Sequence, residues 1–430
     1  MNVTITGTQK VVIEGFDWGP AVVKTIITLD QPVTADSVNA DTFAVTENKE
    51  AFNIAALLDP TAGMDPTVHI LQTTDCVVAA AYTCDEQGNE ISVVSNHIAL
   101  ELDKNPDGSI GGSPYCADFV TWTNTVCDPY ELTITLKDGS QLMTESGSPV
   151  SELAIDATID LHTAAIPQLA QVDLTGTFSS SDGYDLTYSS FAPAADGEQH
   201  PLVIWLHGAG EGGTDTSIPN MGAKVTALYG TEFQTIMGGA YVLVPQTTTF
   251  WLTYNENGDW LDNPGVPSIY TQALMELIES YVAANPDIDA NRIYIGGCSN
   301  GGYMTMNMVM TYPDYFAAAY PICEAYADAG ITDDQLADIK DLPIWFVYAQ
   351  NDDTVVPANY EEPTIARLQT LGADVHYSAF TDVHDTTGLY TMEDGSPYQY
   401  VGHASWQYFF NNQCVENDTT LWDWLAAQSK

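Results

Sequence analysis

The chain has 430 residues, 45% of them hydrophobic, which predicts two or three domains with sizeable cores and argues against bulk disorder. Ten Lys and Arg stand against 58 Asp and Glu, a net charge of -48, which argues against nucleic acid and anionic membrane surfaces as partners because both need a cationic face. No apolar run reaches the roughly 18 residues of a membrane span, and a mean hydropathy of -0.07 fits a soluble acidic protein, secreted in the preferred reading and salt-adapted in the other.

Met1 is followed directly by the strand-like Asn2-Val3-Thr4-Ile5-Thr6, with no basic or apolar leader. The expectation is a secreted, extracellular protein whose signal has been removed, with a cytoplasmic one as the alternative. Up to about residue 165 the chain reads as all-β. Strands are expected at Ala21–Leu29, Cys76–Tyr82, Glu90–Val94, His97–Leu102 and Glu131–Leu136, separated by turns such as Gln87-Gly88-Asn89 and Lys137-Asp138-Gly139. Short strands with this punctuation suggest an immunoglobulin-like β-sandwich over residues 1–168. Cys76/Cys84 and Cys116/Cys127 are either hairpin staples or free buried thiols. Asp103-x-Asn105-x-Asp107-Gly108 resembles half a calcium loop, but Pro114 holds the twelfth position, so a plain hairpin turn is expected.

From residue 169 to 430 the period changes. Buried strands at Leu202–Leu206, Ala240–Val244, Arg292–Ile295, Ala317–Ile322 and Pro343–Tyr348 alternate with helices near Ser268–Ala284, Gly302–Met310 and Pro363–Leu371, and Leu421–Leu425 reads as a closing helix. This is the grammar of a parallel sheet covered on both faces. The hinge between the two domains is expected at Ala164–Val172.

The sharpest signal is Gly297-x-Ser299-x-Gly301, which follows a strand and opens a helix. So tight a turn leaves no room for flanking side chains, hence the glycines. Ser299 is the expected nucleophile, and the N–H of Asn300 an oxyanion donor. The second donor is expected from the small-residue loop after an earlier strand, His207-Gly208-Ala209-Gly210, with Ala209 favoured; His207 itself is read as ordering that loop. An acid and then a histidine should follow the serine. Asp352 and Asp353 both sit just past the strand Ile344–Tyr348. Counting from the strand end favours Asp352, counting back from Pro357 favours Asp353, and Asp352 is chosen. Of the later histidines, His376 lies in a strand, His384 shortly after it, and His403 in a Gly-preceded loop from which its ring can swing over the serine; His403 is chosen. Trp251, Trp260, Tyr303 and Trp406 are candidate substrate contacts, with core packing as the alternative. Cys298 and Cys323 are either a disulfide bracing the elbow or free thiols. No metal or cofactor motif stands out.

The motifs Leu206–Gly213, Gly296–Tyr303, Ala349–Val355 and Gly402-His403-x-x-Trp406 resemble those of α/β-hydrolase esterases related to feruloyl and acetyl-xylan esterases and polyhydroxybutyrate depolymerases, the prolyl-oligopeptidase-like group. Gly15-Phe16-Asp17-Trp18-Gly19-Pro20 looks like the start of the immunoglobulin-like domain found in a subset of them. The resemblance implies Ser299, Asp352 and His403 as a catalytic triad. One departure is Tyr348-Ala349, where relatives often carry His-Gly before the acid. The resulting expectation is a serine esterase acting on small or polysaccharide-linked, short-chain or phenolic esters, without a cofactor, with homo-oligomerisation through the N-terminal domain as one role for it. The alternatives are a peptidase of the prolyl-oligopeptidase type, disfavoured because the N-terminal half is too short for a propeller, and a non-enzymatic carbohydrate-binding protein.

Overall fold

The computed structural model describes residues 3–52, 69–118, 123–252 and 267–430. Its contacts cluster the chain into two units, the first ending at Ala170 and the second running from Gln171 to Lys430.

The first unit is built from β1 (Val3–Phe16), β2 (Gly19–Val33), β3 (Phe43–Phe52), β4 (His69–Cys76), β5 (Val78–Thr83), β6 (Ser95–Leu102), β7 (Tyr115–Asp118), β8 (Thr123–Val126), β9 (Tyr130–Leu136) and β10 (Val150–Ile155). Five strands pair in the order β10-β1-β2-β6-β5 and three in the order β4-β3-β9. Along β1, Ile5, Val11 and Ile13 are buried while Thr4, Lys10 and Glu14 look outward, the period of two that a one-sided sheet imposes. The expected strand Cys76–Tyr82 is interrupted at Val77. On one side of it β4 pairs with β3, on the other β5 pairs with β6, so the chain changes sheets there.

The expected strand Glu90–Val94 does not form. Only Glu90 makes a bridge, to Cys84; Ser92 takes φ 51° and leaves Ile91, Val93 and Val94 exposed. β-branched residues favour a strand only where a partner strand covers them. The segment after β6 is a turn, with Asp107 accepting from the Ser109 N–H at 2.8 Å. None of the seven cysteines is in a disulfide.

The second unit holds an eight-stranded sheet of β11 (Asp173–Ser179), β12 (Asp185–Phe191), β13 (His200–Leu206), β14 (Tyr241–Gln246), β15 (Ile288–Cys298), β16 (Ala318–Ile322), β17 (Ile344–Ala349) and β18 (Val375–Phe380). Their order is β11-β12-β14-β13-β15-β16-β17-β18. The first two pairings, β11 with β12 and β12 with β14, are antiparallel, so β12 alone runs against the other strands of this sheet; the remaining pairings are parallel.

Every residue of β13 is buried, because both faces are covered. Leu202, Ile204 and Leu206 point into one core with Leu274 and Ile278 of helix α1 (Thr271–Ala284), Met304 of α2 (Asn300–Thr311) and Leu368 of α3 (Glu361–Thr370). Val203 and Trp205 point into the other, with Phe233, Phe409 and Trp422 of the closing helix α4 (Leu421–Ala426). Each large apolar side chain so buried stabilises the fold by about 1.5–3 kcal/mol relative to exposure. Among the described residues no helix is long and apolar enough to cross a membrane.

Candidate active site

Parallel strands gather their following loops at one edge of the sheet, where ligands bind in open α/β folds. Here the loop after β13 carries His207–Gly213, the loop after β15 carries Ser299, that after β16 carries Cys323–Tyr326, and that after β17 carries Asp352. Ser299 sits between β15 and α2 with φ 55° and ψ -114°, a conformation rare for a non-glycine residue. Its neighbours hold it there. The Ser299 N–H donates to Ile322 O at 2.9 Å, and Ser299 O accepts from Ala325 N at 3.2 Å and from Tyr303 N at 2.9 Å. The flanking glycines are required by packing. A Cβ on Gly297 would lie 2.4 Å, and one on Gly301 1.9 Å, from the Leu206 carbonyl oxygen.

The structure brings Asp352 and His403 together. Asp352, 3% exposed, accepts from the Thr354 and Val355 N–H groups at 2.8 and 2.9 Å through one carboxylate oxygen, and the other lies 2.7 Å from His403 Nδ1. Asp353 is exposed. The His403 loop presses on the acid loop so closely that a Cβ on Gly402 would lie 2.3 Å from Asn351 O. With Nδ1 donating to Asp352, Nε2 is the nitrogen left to accept a proton. His384 pairs instead with Asp382 at 2.7 Å and Tyr408 at 3.2 Å, and His376 with Glu416, stacked on Trp345.

Neither the Ala209 N–H nor the Asn300 N–H has an acceptor among the described residues, as donors for an incoming oxyanion require. His207 orders the loop beneath them. Its Nδ1 lies 2.8 Å from Gly208 O, its Nε2 accepts from Thr247 N at 3.3 Å, and complete burial pushes its pKa down to about 4, so the ring is neutral.

Residues 190–396 match the phospholipase/carboxylesterase family, and residues 8–151 match the esterase Ig-like N-terminal domain. The second unit thus carries a domain of the phospholipase/carboxylesterase family with the α/β-hydrolase fold, and the first unit an esterase Ig-like domain. Poly(3-hydroxyalkanoate) depolymerase C of Paucimonas lemoignei is 27% identical to this chain over 270 residues, 55% of this chain; the match spans only 60% of that relative's length. The crystal structure of a thermostable esterase shares the fold along 99% of both chains, with a TM-score of 0.69 at 22% identity.

Two of the candidate substrate contacts are corrected by burial. Trp251 is 0% and Tyr303 1% exposed. Trp251 donates Nε1–H to His207 O at 3.2 Å and its N–H to Asn300 Oδ1 at 2.7 Å, so it ties the loop after β13 to the start of α2. Tyr303 stacks on Tyr326 at 5.0 Å. Both belong to the core that seats α2. Trp406 is half-buried and stands edge-on to His403 at 5.8 Å, beside the Asp352–His403 pair. Trp260 lies outside the described residues. Cys298, the last residue of β15, and Cys323, just past β16, are buried thiols not joined in a disulfide.

Three buried carboxyls went unnoticed as site residues in the sequence: Glu211, Glu324 and Glu361. Glu211 accepts the Gly208 N–H at 2.8 Å, and full burial pushes its pKa up to about 8 against that hydrogen bond. Glu324 directly follows β16 and Glu361 opens α3, so each stands beside a site loop; an acid at the end of a central parallel strand was the available signal.

Proposed function

We propose that the hydrolase is a serine carboxylic-ester hydrolase with Ser299 as nucleophile, His403 as general base and Asp352 as the residue that orients and balances the imidazole. The observation that carries this reading is the 2.7 Å contact of His403 Nδ1 with Asp352, on the same sheet edge as a serine held at φ 55°. Ser299 Oγ attacks the ester carbonyl while His403 Nε2 takes its proton. The oxyanion settles on the Ala209 and Asn300 N–H groups, each such donor being worth on the order of 3 kcal/mol of barrier. The alcohol leaves with the proton from His403, and water, activated by the same imidazole, releases the acid. No step calls for a cofactor.

Short-chain or phenolic esters, of acetyl or feruloyl type and free or linked to polysaccharide, are the proposed substrates, met outside the cell. The half-buried Trp406 offers an aromatic edge beside His403 for such a group. The proposal includes self-association through the Ig-like domain, where Leu71 and Val93 are exposed; sedimentation of the full chain reads it. A panel of p-nitrophenyl acetate, butyrate and palmitate, methyl ferulate and a prolyl peptide tests the substrate class. Acetyl, butyryl or feruloyl esters should be cleaved fastest; fastest turnover of palmitate or of the peptide contradicts the proposal.

A further inference from the structure

Glu324 and Glu361 are each 0% exposed. Glu324 Oε2 accepts the Tyr326 N–H at 2.6 Å, but Glu324 Oε1 and both carboxyl oxygens of Glu361 lack a well-formed hydrogen bond among the described residues. The groups that face them are acidic or neutral: Asp352, Glu362, Asp328, Cys323, Tyr326 and Tyr348, with the Glu361 and Glu324 N–H groups as the donors nearest the Glu361 carboxyl. Arg367, on the same helix as Glu361, is taken by Asp328 at 2.8 Å and Asp333 at 2.7 Å. Two anions buried in this way would meet repulsion as well as desolvation, each worth several kcal/mol.

Their positions tie them to the catalytic loops. Glu324 packs on the first turn of α2, where a Cβ on Gly302 would lie 2.7 Å from Glu324 Cα, and the next residue, Ala325, holds the Ser299 carbonyl. Glu361 feels the charge of Asp352 and lies near the Glu324 backbone N–H. We propose that Glu324 and Glu361 are positioning residues, a proton-carrying carboxyl pair that packs the acid loop against the nucleophile loop without placing a second negative charge behind Asp352. Burial pushes both carboxyls well above the usual range, Glu324 further through Glu361, and Glu361 further through Asp352. A bound cation could instead neutralise the pair, but among the described residues no group of three His, Cys, Asp or Glu side chains is arranged to hold a metal. The inference rests on Asp352 and Ser299 acting as proposed above.

The test uses the full chain with E324Q, E361Q and E361A. Both glutamates are protonated below their unfolded pKa in either state; above it the folded protein retains protons that the unfolded chain releases. Wild type should therefore lose stability relative to E324Q and E361Q between pH 5 and pH 8, by up to about tenfold in the folding constant per pH unit and per proton retained. Urea unfolding reads this without any activity, so it stands apart from the triad assignment. In the kcat/KM profile on p-nitrophenyl acetate, E361A should lower kcat by about ten- to a hundredfold through misplacement of the acid loop. E361Q should restore most of it and keep the acid limb where wild type has it, since a neutral group replaces a neutral one. Parallel stability profiles overturn the proposal, as does an acid limb displaced to lower pH in E361Q, which shows that Glu361 is ionised in the native protein. Stabilisation of wild type but not of the Gln variants by millimolar calcium overturns it in favour of a cation. If E361Q does not fold, E324Q carries the same stability comparison.

Discussion

Asp352 and Asp353 are adjacent in sequence and opposite in surroundings. One is buried with three hydrogen-bond donors on its carboxylate, and the other faces solvent. Replacing Asp352 with Asn should lower kcat by about 10⁴-fold, because an amide holds the wrong imidazole tautomer. Asp353→Asn should leave kcat within about twofold, and steady-state kinetics on p-nitrophenyl acetate separates the two. The sequence could not decide between them, since strand-end counting places either at the loop apex. What decides is the closure of the turn, in which Thr354 and Val355 point their N–H groups back at residue 352. Glu211 makes a second prediction. Its carboxyl is held near 8 in the fold against an ordinary 4.5, so the folded state keeps a proton that the unfolded chain gives up. Its stabilising contribution is complete below pH 4.5 and is lost as pH rises through 8. Glu211→Gln has no such loss, so its stability relative to wild type should climb by a few kcal/mol between pH 4 and pH 8, as read by urea midpoints. Equal pH dependence of the two proteins contradicts this.

At the scale of elements, the elbow shows why glycines accompany the serine. α2 starts so close to β13 that a methyl group at Gly301 would press into the Leu206 carbonyl at 1.9 Å. Gly301→Ala should destabilise by roughly 3 kcal/mol or more and displace Ser299, lowering activity with stability. Gly388→Ala, at φ 75° but with nothing within 4 Å of the added carbon, should lose about 1 kcal/mol by strain alone. Denaturant unfolding of the two variants compares contact with conformation. This elbow was readable because strand, glycines, serine and helix leave a contiguous trace. The parallel strands were readable because both of their faces are apolar, as in β13 and β17. Glu90–Val94 misled because β-branched residues signal a strand whether or not a partner strand exists. Trp251 and Tyr303 misled for a related reason: a place in the loop after β14 or on the first turn of α2 does not say which face an aromatic ring takes, and here both face the core. Glu324 and Glu361 left no trace of their meeting, because they lie 37 positions apart and come together only through the register of β16, β17 and α3.

At the scale of the whole molecule, the charge of -48 is the dominant long-range term. Like charges spread over one surface repel each other, and salt shortens their reach to about 8 Å at physiological ionic strength and 3 Å at 1 M. The midpoint of thermal unfolding should therefore rise between 10 mM and 1 M NaCl at neutral pH; a fall would mean that native ion pairs outweigh self-repulsion. The acidity reads directly from composition, and the change from period two to alternating strands and helices marks two kinds of architecture. The central claim concerns one oxygen atom. Incubation of the full chain with a fluorophosphonate, followed by peptide mass mapping, tests it most directly. A single stoichiometric adduct on Ser299 is expected, with loss of esterase activity in proportion and no labelling of Ser299→Ala. An unlabelled Ser299 in protein that still cleaves p-nitrophenyl acetate, or an adduct on another residue that accounts for the activity, would contradict it.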